Sequence, residues 1–243
     1  MRIAVLSDVH SNLEALRAVL LSCGSEQIDE YICLGDIVGY AANPNECLKL
    51  IRELNPLTTI AGNHDWASVG KTDINYFSPI AKEAILWTQK ELTEENKNFL
   101  QNLPLTKEFD DFIIVHGSLY APQEWHYIFT LQDAKRNFGH QNKRICFIAH
   151  SHQPFIISQD KSGNCEGIKG TKVSLRDDYK YLINIGSVGQ PRDGNPKASY
   201  CFYDRDKNEI EIKRISYEIK KAQDKIIAAG LPQELAWRLS LGR

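Results

Sequence analysis

Nowhere in the 243 residues is there an uncharged apolar run approaching the roughly 18 to 20 residues that a membrane-crossing helix needs. Charge of either sign is not in excess: 29 Lys and Arg stand against 31 Asp and Glu, a formal net charge of −2. That balance argues against a dedicated nucleic-acid surface or an anionic-membrane binder, both of which are plainly basic. The six cysteines include no C-x-x-C pair, and Cys33, Cys146 and Cys201 sit inside apolar strand-like runs. Reduced, buried thiols are expected in place of a disulfide framework. No export signal is visible, because the apolar stretch after Arg2 is cut short by Asp8, and a cytoplasmic location is the resulting expectation. Repeats of fixed period, low-complexity tracts and linker-like segments are also absent, which favours a single domain over residues 1–243. With 42% hydrophobic and 25% charged residues, what remains is a soluble chain able to bury a real core.

Apolar runs at Ile3–Leu6, Tyr31–Leu34 and Thr58–Ala61 alternate with helical spacing over Asn12–Leu21 and over Pro44–Leu54, the latter with Asn43 as a candidate cap. Three β-loop-α units predict a parallel sheet with helices on its faces. From Ser78 to Leu103 the period becomes 3.6. Ser78-Pro79 and Thr93-Glu94-Glu95 are the two starts, and the pair reads as a helical insertion at about 78–103. Further strand-like runs at Phe112–Val115, Ile145–Ala149, Pro154–Ile157, Tyr181–Ile185, Ser199–Tyr203 and Ile210–Ile215 are linked by turns rich in Gly, Asn and Asp. They predict a largely antiparallel second half. A C-terminal helical tail at about 217–243 has a stop at Gly230, a restart at Pro232 and an apolar set of Leu235, Trp237 and Leu239, expected to pack on the sheet.

The chemistry lies in the polar residues that close the apolar runs. The ends read Asp8-Val9-His10, Gly35-Asp36, Gly62-Asn63-His64, Val115-His116-Gly117 and Ala149-His150-Ser151-His152. Alternation puts residues two apart on one side of an extended segment, and in an open α/β sheet the carboxyl ends of strands converge on the functional crevice. Asp8, His10, Asp36, Asn63, His116, His150 and His152 are therefore seven candidate metal ligands at one edge. Singly, each reads equally well as a cap or a turn former, but five strand ends supplying such donors together do not. Imidazole, carboxylate and one amide oxygen, without cysteine, suit Mn²⁺, Fe, Zn²⁺ or Ni²⁺. Seven donors are too many for one tetrahedral ion and fit two ions sharing a bridge.

In this order the five motifs resemble the calcineurin-like metallophosphoesterases, over a stretch from Asp8 to Gln190. The resemblance implies a four-layer α/β/β/α sandwich of two mixed β-sheets flanked by helices. It also implies one metal on Asp8, His10 and His152, a second on Asn63, His116 and His150, and Asp36 bridging both, with Mn²⁺ favoured for activity. Two cations about 3.5 to 4 Å apart lower the pKa of a bridging water, clamp phosphoryl oxygens and orient an in-line displacement. His64 comes directly after a ligand and can reach the site edge as general acid, with Asp65 as an orienting partner.

Departures from the family pattern narrow the substrate. Phosphoprotein phosphatases of the superfamily carry an Arg before Gly-Asn-His; Ala61 stands there instead and offers no bidentate phosphate grip. Ala149 replaces the usual Gly before His-x-His, at about 1 to 2 kcal/mol if its φ is positive. Gly35–Tyr40, Pro44-Asn45-Glu46 and Asn184–Arg192 are similar to a small prokaryotic phosphodiesterase branch often labelled diadenosine-polyphosphatase-like. That branch implies a small phosphorylated substrate with a phosphodiester or nucleotide-type phosphoanhydride bond. Arg192 is a candidate phosphate contact, weighed evenly against a surface Arg. Tyr40, Trp66 and Trp125 could stack a base, although packing is the commoner role of such residues; His126 and His140 lie outside every motif. Two alternatives share the fold: a phosphomonoesterase, protein phosphatase-like enzymes included, and a non-catalytic protein-interaction scaffold. In the scaffold the histidine of Gly-Asn-His is replaced, whereas His64 is intact here.

Overall fold

The first strand, β1 (Arg2–Leu6), has no exposed face: Ile3, Ala4, Val5 and Leu6 are all buried, as expected of a strand covered on both sides. Its alternation sorts the core. Ala4 and Leu6 pack with α1 (Leu13–Gly24) and α2 (Pro44–Arg52), whereas Ile3 and Val5 pack with Phe112 and Phe147 of the second sheet and with Tyr203 of the adjacent strand in their own sheet. In this computed structural model, which describes residues 1–55 and 57–243, β1, β2 (Glu30–Cys33) and β3 (Leu57–Thr59) pair in parallel. α3 (Asn63–Ser68) comes after β3. β11 (Ala198–Asp204) pairs antiparallel with β1 and carries β12 (Glu209–Ile215) and β9 (Lys172–Ser174), giving the order β3-β2-β1-β11-β12-β9.

The second sheet contains β4 (Thr106–Glu108), β5 (Phe112–Val115), β6 (Ile145–Ile148), β7 (Phe155–Gln159), β8 (Cys165–Ile168) and β10 (Lys180–Asn184), in the order β4-β5-β6-β10-β7-β8. Its outer face is covered by α6 (Leu131–His140) through Ala134 and Phe138. The layers are thus helices, sheet, sheet and helix, the four-layer sandwich that the motifs imply. The second half is largely antiparallel, as expected, except at the centre of this sheet, where β5, β6 and β10 run parallel between antiparallel flanks. The crossover helix α6 makes the β5-β6 step parallel, and nothing in the apolar runs announced it. The short strands β4, β8 and β9 are mostly polar edge or near-edge pieces with no apolar run to signal them.

Helices α4 (Pro79–Glu91) and α5 (Glu94–Gln101) form the 78–103 pair, started by Ser78 and Thr93, whose side chains accept N–H bonds from Ala81 and Asn96. Asn43 makes no such cap; its amide reaches Glu46 and its oxygen accepts from Lys225. The tail folds as α7 (Ile219–Ala228) and α8 (Gln233–Leu241). It packs through Ala222, Ile226, Leu235 and Leu239 on α4 and on Tyr40 and Ala41 of the loop after β2, not on the sheet. Leu235 and Leu239 are four apart and share a face; Trp237 falls off that face and is 57% exposed. Among the described residues no helix is long and apolar enough to cross a membrane.

All six cysteines are free and only Cys165, in β8, is not buried. Burial pushes the thiols of Cys23 and Cys146 up to about 12. Alkylation of the native protein near pH 8, with peptide mass spectrometry as the readout, is expected to modify Cys165 alone, and all six positions after unfolding. A native adduct at Cys23 or Cys146 would contradict this packing.

Candidate metal centre

Strand alternation is not what brings the donors together. β1 stops at Leu6, and Asp8 and His10 both adopt left-handed backbone, with φ of 49° each. Asp36 (φ 52°), His150 (φ 64°) and His152 (φ 59°) do the same. Ala149 does not, so its replacement of glycine carries no backbone cost. Each left-handed non-glycine residue costs about 1 to 2 kcal/mol, and such strain persists where the surroundings over-determine it. Here the loops brace one another: the Asp8 N–H donates to the Gly35 carbonyl at 3.0 Å, and that of His10 to the Asp36 carbonyl at 3.0 Å. The two motif glycines are a steric requirement. A Cβ on Gly62 would lie 2.0 Å from Asp36 Oδ1, and one on Gly35 would lie 2.2 Å from the Gly62 nitrogen.

All seven candidate ligands are buried. Each carboxylate fastens one oxygen to backbone and leaves the other to the site. Asp36 Oδ1 accepts the His64 N–H at 2.8 Å and Asp8 Oδ2 that of His150 at 3.3 Å, while Asp36 Oδ2 and Asp8 Oδ1 have no hydrogen-bond partner. The imidazoles are oriented in the same way. Nδ1 of His10, His116 and His152 faces the carbonyl oxygens of Val38, Leu34 and Gln190 at 3.1, 2.7 and 2.6 Å. A carbonyl only accepts, so Nδ1 carries the proton and Nε2 turns a lone pair inward, the orientation typical of metal-ligating histidines.

Around these atoms lie three groups of potential ligands, each within 4.8 Å: Asp8, His10 and His152; His10, Asp36 and His64; and Asp36, His116 and His150. Asp36 is common to two of them, with Oδ2 at 3.7 Å from His10 Nε2 and 3.3 Å from His116 Nε2. Asn63, at the start of α3, has its Oδ1 buried and unpartnered. A cation resolves what the protein leaves open. The Nε2 atoms of His10 and His152 face each other at 3.1 Å. Asp8 Oδ1, Asp36 Oδ2, Asn63 Oδ1, His116 Nε2 and His150 Nε2 are buried without partners, which is costly unless something else satisfies them. The donor set fits divalent transition metals.

Electrostatics point the same way. Burial would raise the Asp36 carboxyl, but His116, His64 and His10 outweigh it and hold it well below the usual range. Burial would lower His116, yet Asp36 and Asp8 push it up to about 9. A positive charge is favoured at this spot, whether carried by a proton or by an ion. Burial holds His10 and His150 well below an ordinary imidazole, and His64 down to about 4. Those rings are neutral near pH 7, the form that binds metal.

Asp65 was expected to orient His64, and it does something else. Its Oδ1 accepts the N–H groups of Ile37 and Val38 at 2.9 and 3.2 Å, and its Oδ2 that of Gly62 at 3.1 Å. With the carboxylate aimed at three backbone donors, it locks the Asp36 loop to the start of α3. Asp65→Ala strands these donors at about 1 to 3 kcal/mol each. The expected outcome is a clear fall in melting temperature together with weaker metal retention. Undiminished thermal stability would show that the clamp is unimportant.

The family model described as a calcineurin-like phosphoesterase superfamily domain matches residues 1–208. The chain belongs to this superfamily. An uncharacterized protein of Methanocaldococcus jannaschii is 48% identical over 99% of this chain and 98% of its own. A solved metallophosphoesterase from Sphaerobacter thermophilus is 39% identical with a TM-score of 0.89, covering 100% of this chain and 99% of that one. A hypothetical protein from Pyrococcus horikoshii OT3 shares the fold at a TM-score of 0.81 and 19% identity, covering 100% and 98%.

In this calcineurin-like phosphoesterase a cleft of about 940 Å³ opens onto Asn63, His64 and His150. Trp66 and Trp125 line it, edge to face at 5.7 Å; Tyr40 also borders it, largely buried and packed on His10 and His64. Arg192 is at the cleft, whereas His126 and His140 flank Tyr120 away from the three ligand groups. Sequence reasoning missed Tyr127, stacked on His150 at 4.0 Å, and Arg238 of α8, also in the cleft. Arg238 lies in a generic amphipathic repeat after the Pro232 restart, so no motif could have singled it out.

Proposed function

We propose that this phosphoesterase hydrolyses phosphodiester or nucleotide-type phosphoanhydride bonds with two divalent cations, Mn²⁺ favoured. Asp8, His10 and His152 would hold one, Asn63, His116 and His150 the other, and Asp36 would bridge. The observation that carries this reading is the convergence of buried, unpartnered ligand atoms on both sides of Asp36 Oδ2. Bound there, such ions supply Lewis-acid charge and an activated water. The chain supplies the rest. His64 lines the cleft; burial keeps its ring neutral before substrate binds, and the negative charge of a bound phosphate favours the imidazolium, which then gives its proton to the departing oxygen as general acid. Arg192, at the same cleft, draws the anionic substrate in. Ala61 is fully buried and can grip nothing, so the doubly charged end of a phosphomonoester lacks the guanidinium that would face it from this loop.

Chelator-treated protein reloaded with Mn²⁺ tests the proposal against bis(p-nitrophenyl) phosphate, p-nitrophenyl phosphate and a dinucleoside polyphosphate. Diester or anhydride turnover is expected to exceed monoester turnover by about tenfold or more in kcat/KM. The opposite order favours the phosphomonoesterase; metal binding with no ester cleaved favours the scaffold.

A further inference from the structure

Two guanidinium groups meet the cleft, and among the described residues neither forms an ion pair with an Asp or Glu side chain. Arg192 lies after β10 in the loop that carries Gln190, and Arg238 comes from α8, beyond the matched family domain. Their guanidinium carbons lie 5.6 and 5.9 Å from the centroid of one ring, that of Tyr40. The same ring packs 4.4 Å from His64 and 4.7 Å from His10, so it connects both guanidinium groups to the edge of the candidate metal centre. Arg192 is half-buried, with one terminal nitrogen held by Gln190 Oε1 at 2.7 Å and its Nε unpartnered. Arg238 is anchored through Nε to a main-chain oxygen of Arg243, the last residue, at 2.6 Å, which leaves its two terminal nitrogens for a ligand.

Other charges in the cleft are already engaged. Asp73 accepts the Asn75 N–H at 2.9 Å, Glu124 faces His126 at 2.9 Å, and Lys71 binds the Gln101 carbonyl at 2.8 Å. Tyr40 gives both guanidinium groups a π face but no countercharge. Burial lowers Arg238 below its usual value, and the neighbouring Arg192 charge adds to the effect. Two half-buried like charges around one ring repel each other until an anion joins them, and a guanidinium fork matches phosphate oxygens bidentately.

Resting on the phosphoesterase reading, we infer that Arg192 and Arg238 clamp a second phosphoryl group of the substrate, beyond the phosphorus attacked at the metal centre. Preferred substrates then carry at least two phosphoryl groups, and the C-terminal helix α8 is a specificity element. Leu235 and Leu239 seat that helix on Tyr40 and α4, so a change at Arg238 leaves its anchorage intact.

Calorimetric binding of tripolyphosphate and of orthophosphate to chelator-treated protein reads the clamp without turnover. Arg238→Gln is expected to weaken tripolyphosphate by about 30-fold or more, with Arg238→Lys recovering part of the loss. An unchanged melting temperature confirms that α8 remains seated. On Mn²⁺-loaded enzyme, the preference in kcat/KM for a nucleoside diphosphate p-nitrophenyl ester over bis(p-nitrophenyl) phosphate should fall about 30-fold, through KM. Wild-type protein that binds tripolyphosphate no better than orthophosphate, or an Arg238→Gln variant indistinguishable from it, overturns the clamp. Cleavage of bis(p-nitrophenyl) phosphate in that case leaves the phosphoesterase reading standing. Loss of tripolyphosphate binding in Arg238→Gln, with no ester cleaved by wild type, supports the clamp and removes the phosphoesterase reading.

Discussion

Asp36→Asn is expected to lower turnover by about a thousandfold or more and to leave fewer than two metal ions per chain. The two oxygens of Asp36 have separate roles. Oδ1 accepts the His64 N–H at 2.8 Å, and an asparagine oxygen can keep that bond, so the loop stays closed. Oδ2 lies between His10 and His116 with no hydrogen-bond partner. Asparagine puts a neutral amide there and removes the anion that both groups of ligands share. Asp36→Ala removes both functions and should also lose stability, which makes Asp36→Asn the cleaner variant. Metal analysis beside steady-state kinetics checks the outcome. Full metal content with full activity in Asp36→Asn would show that Asp36 is not the bridge.

His64→Ala carries the second large effect, and its signature depends on the leaving group. A positioned general acid contributes about 10² to 10⁴-fold when the departing oxygen must be protonated, as with an alkyl or nucleoside alkoxide. A p-nitrophenolate departs without that help. The variant is therefore expected to lose most of its activity on an alkyl diester and much less on bis(p-nitrophenyl) phosphate, with metal content unchanged. Loop closure does not need the ring, because the His64 contact that closes the loop is made by its backbone N–H, which alanine retains; the lost packing on Tyr40 and Phe77 is read separately from the melting temperature. Equal losses on both substrates would assign the ring to substrate positioning instead.

How much of this was legible in the chain divides by physical cause. The apolar runs at Ile3–Leu6 and Phe112–Val115 and the Ser78-Pro79 start signalled their elements because burial and capping act locally. The polar pieces β4, β8 and β9 were invisible because their partners, not their own residues, make them strands. Every candidate metal ligand stood out through its motif, yet the reason for their convergence did not. Left-handed backbone at Asp8, His10, Asp36, His150 and His152 aims the side chains, and only the surrounding loops impose it. Asp65 shows the limit from the other side. Adjacency to His64 suggested a partner for the imidazole, whereas the tertiary fold gives its carboxylate three backbone N–H groups 28, 27 and 3 residues away. The tail had no motif at all, and α8 reaches the cleft only because its Leu235 and Leu239 fit against Tyr40 and α4.

Anomalous diffraction from crystals of the Mn²⁺-loaded protein is the decisive test of a dinuclear centre bridged by Asp36. Two manganese peaks are expected on either side of Asp36 Oδ2, one contacting Asp8, His10 and His152 and the other Asn63, His116 and His150. A single peak at saturating Mn²⁺, or peaks that leave Asp36 uncoordinated, would contradict it.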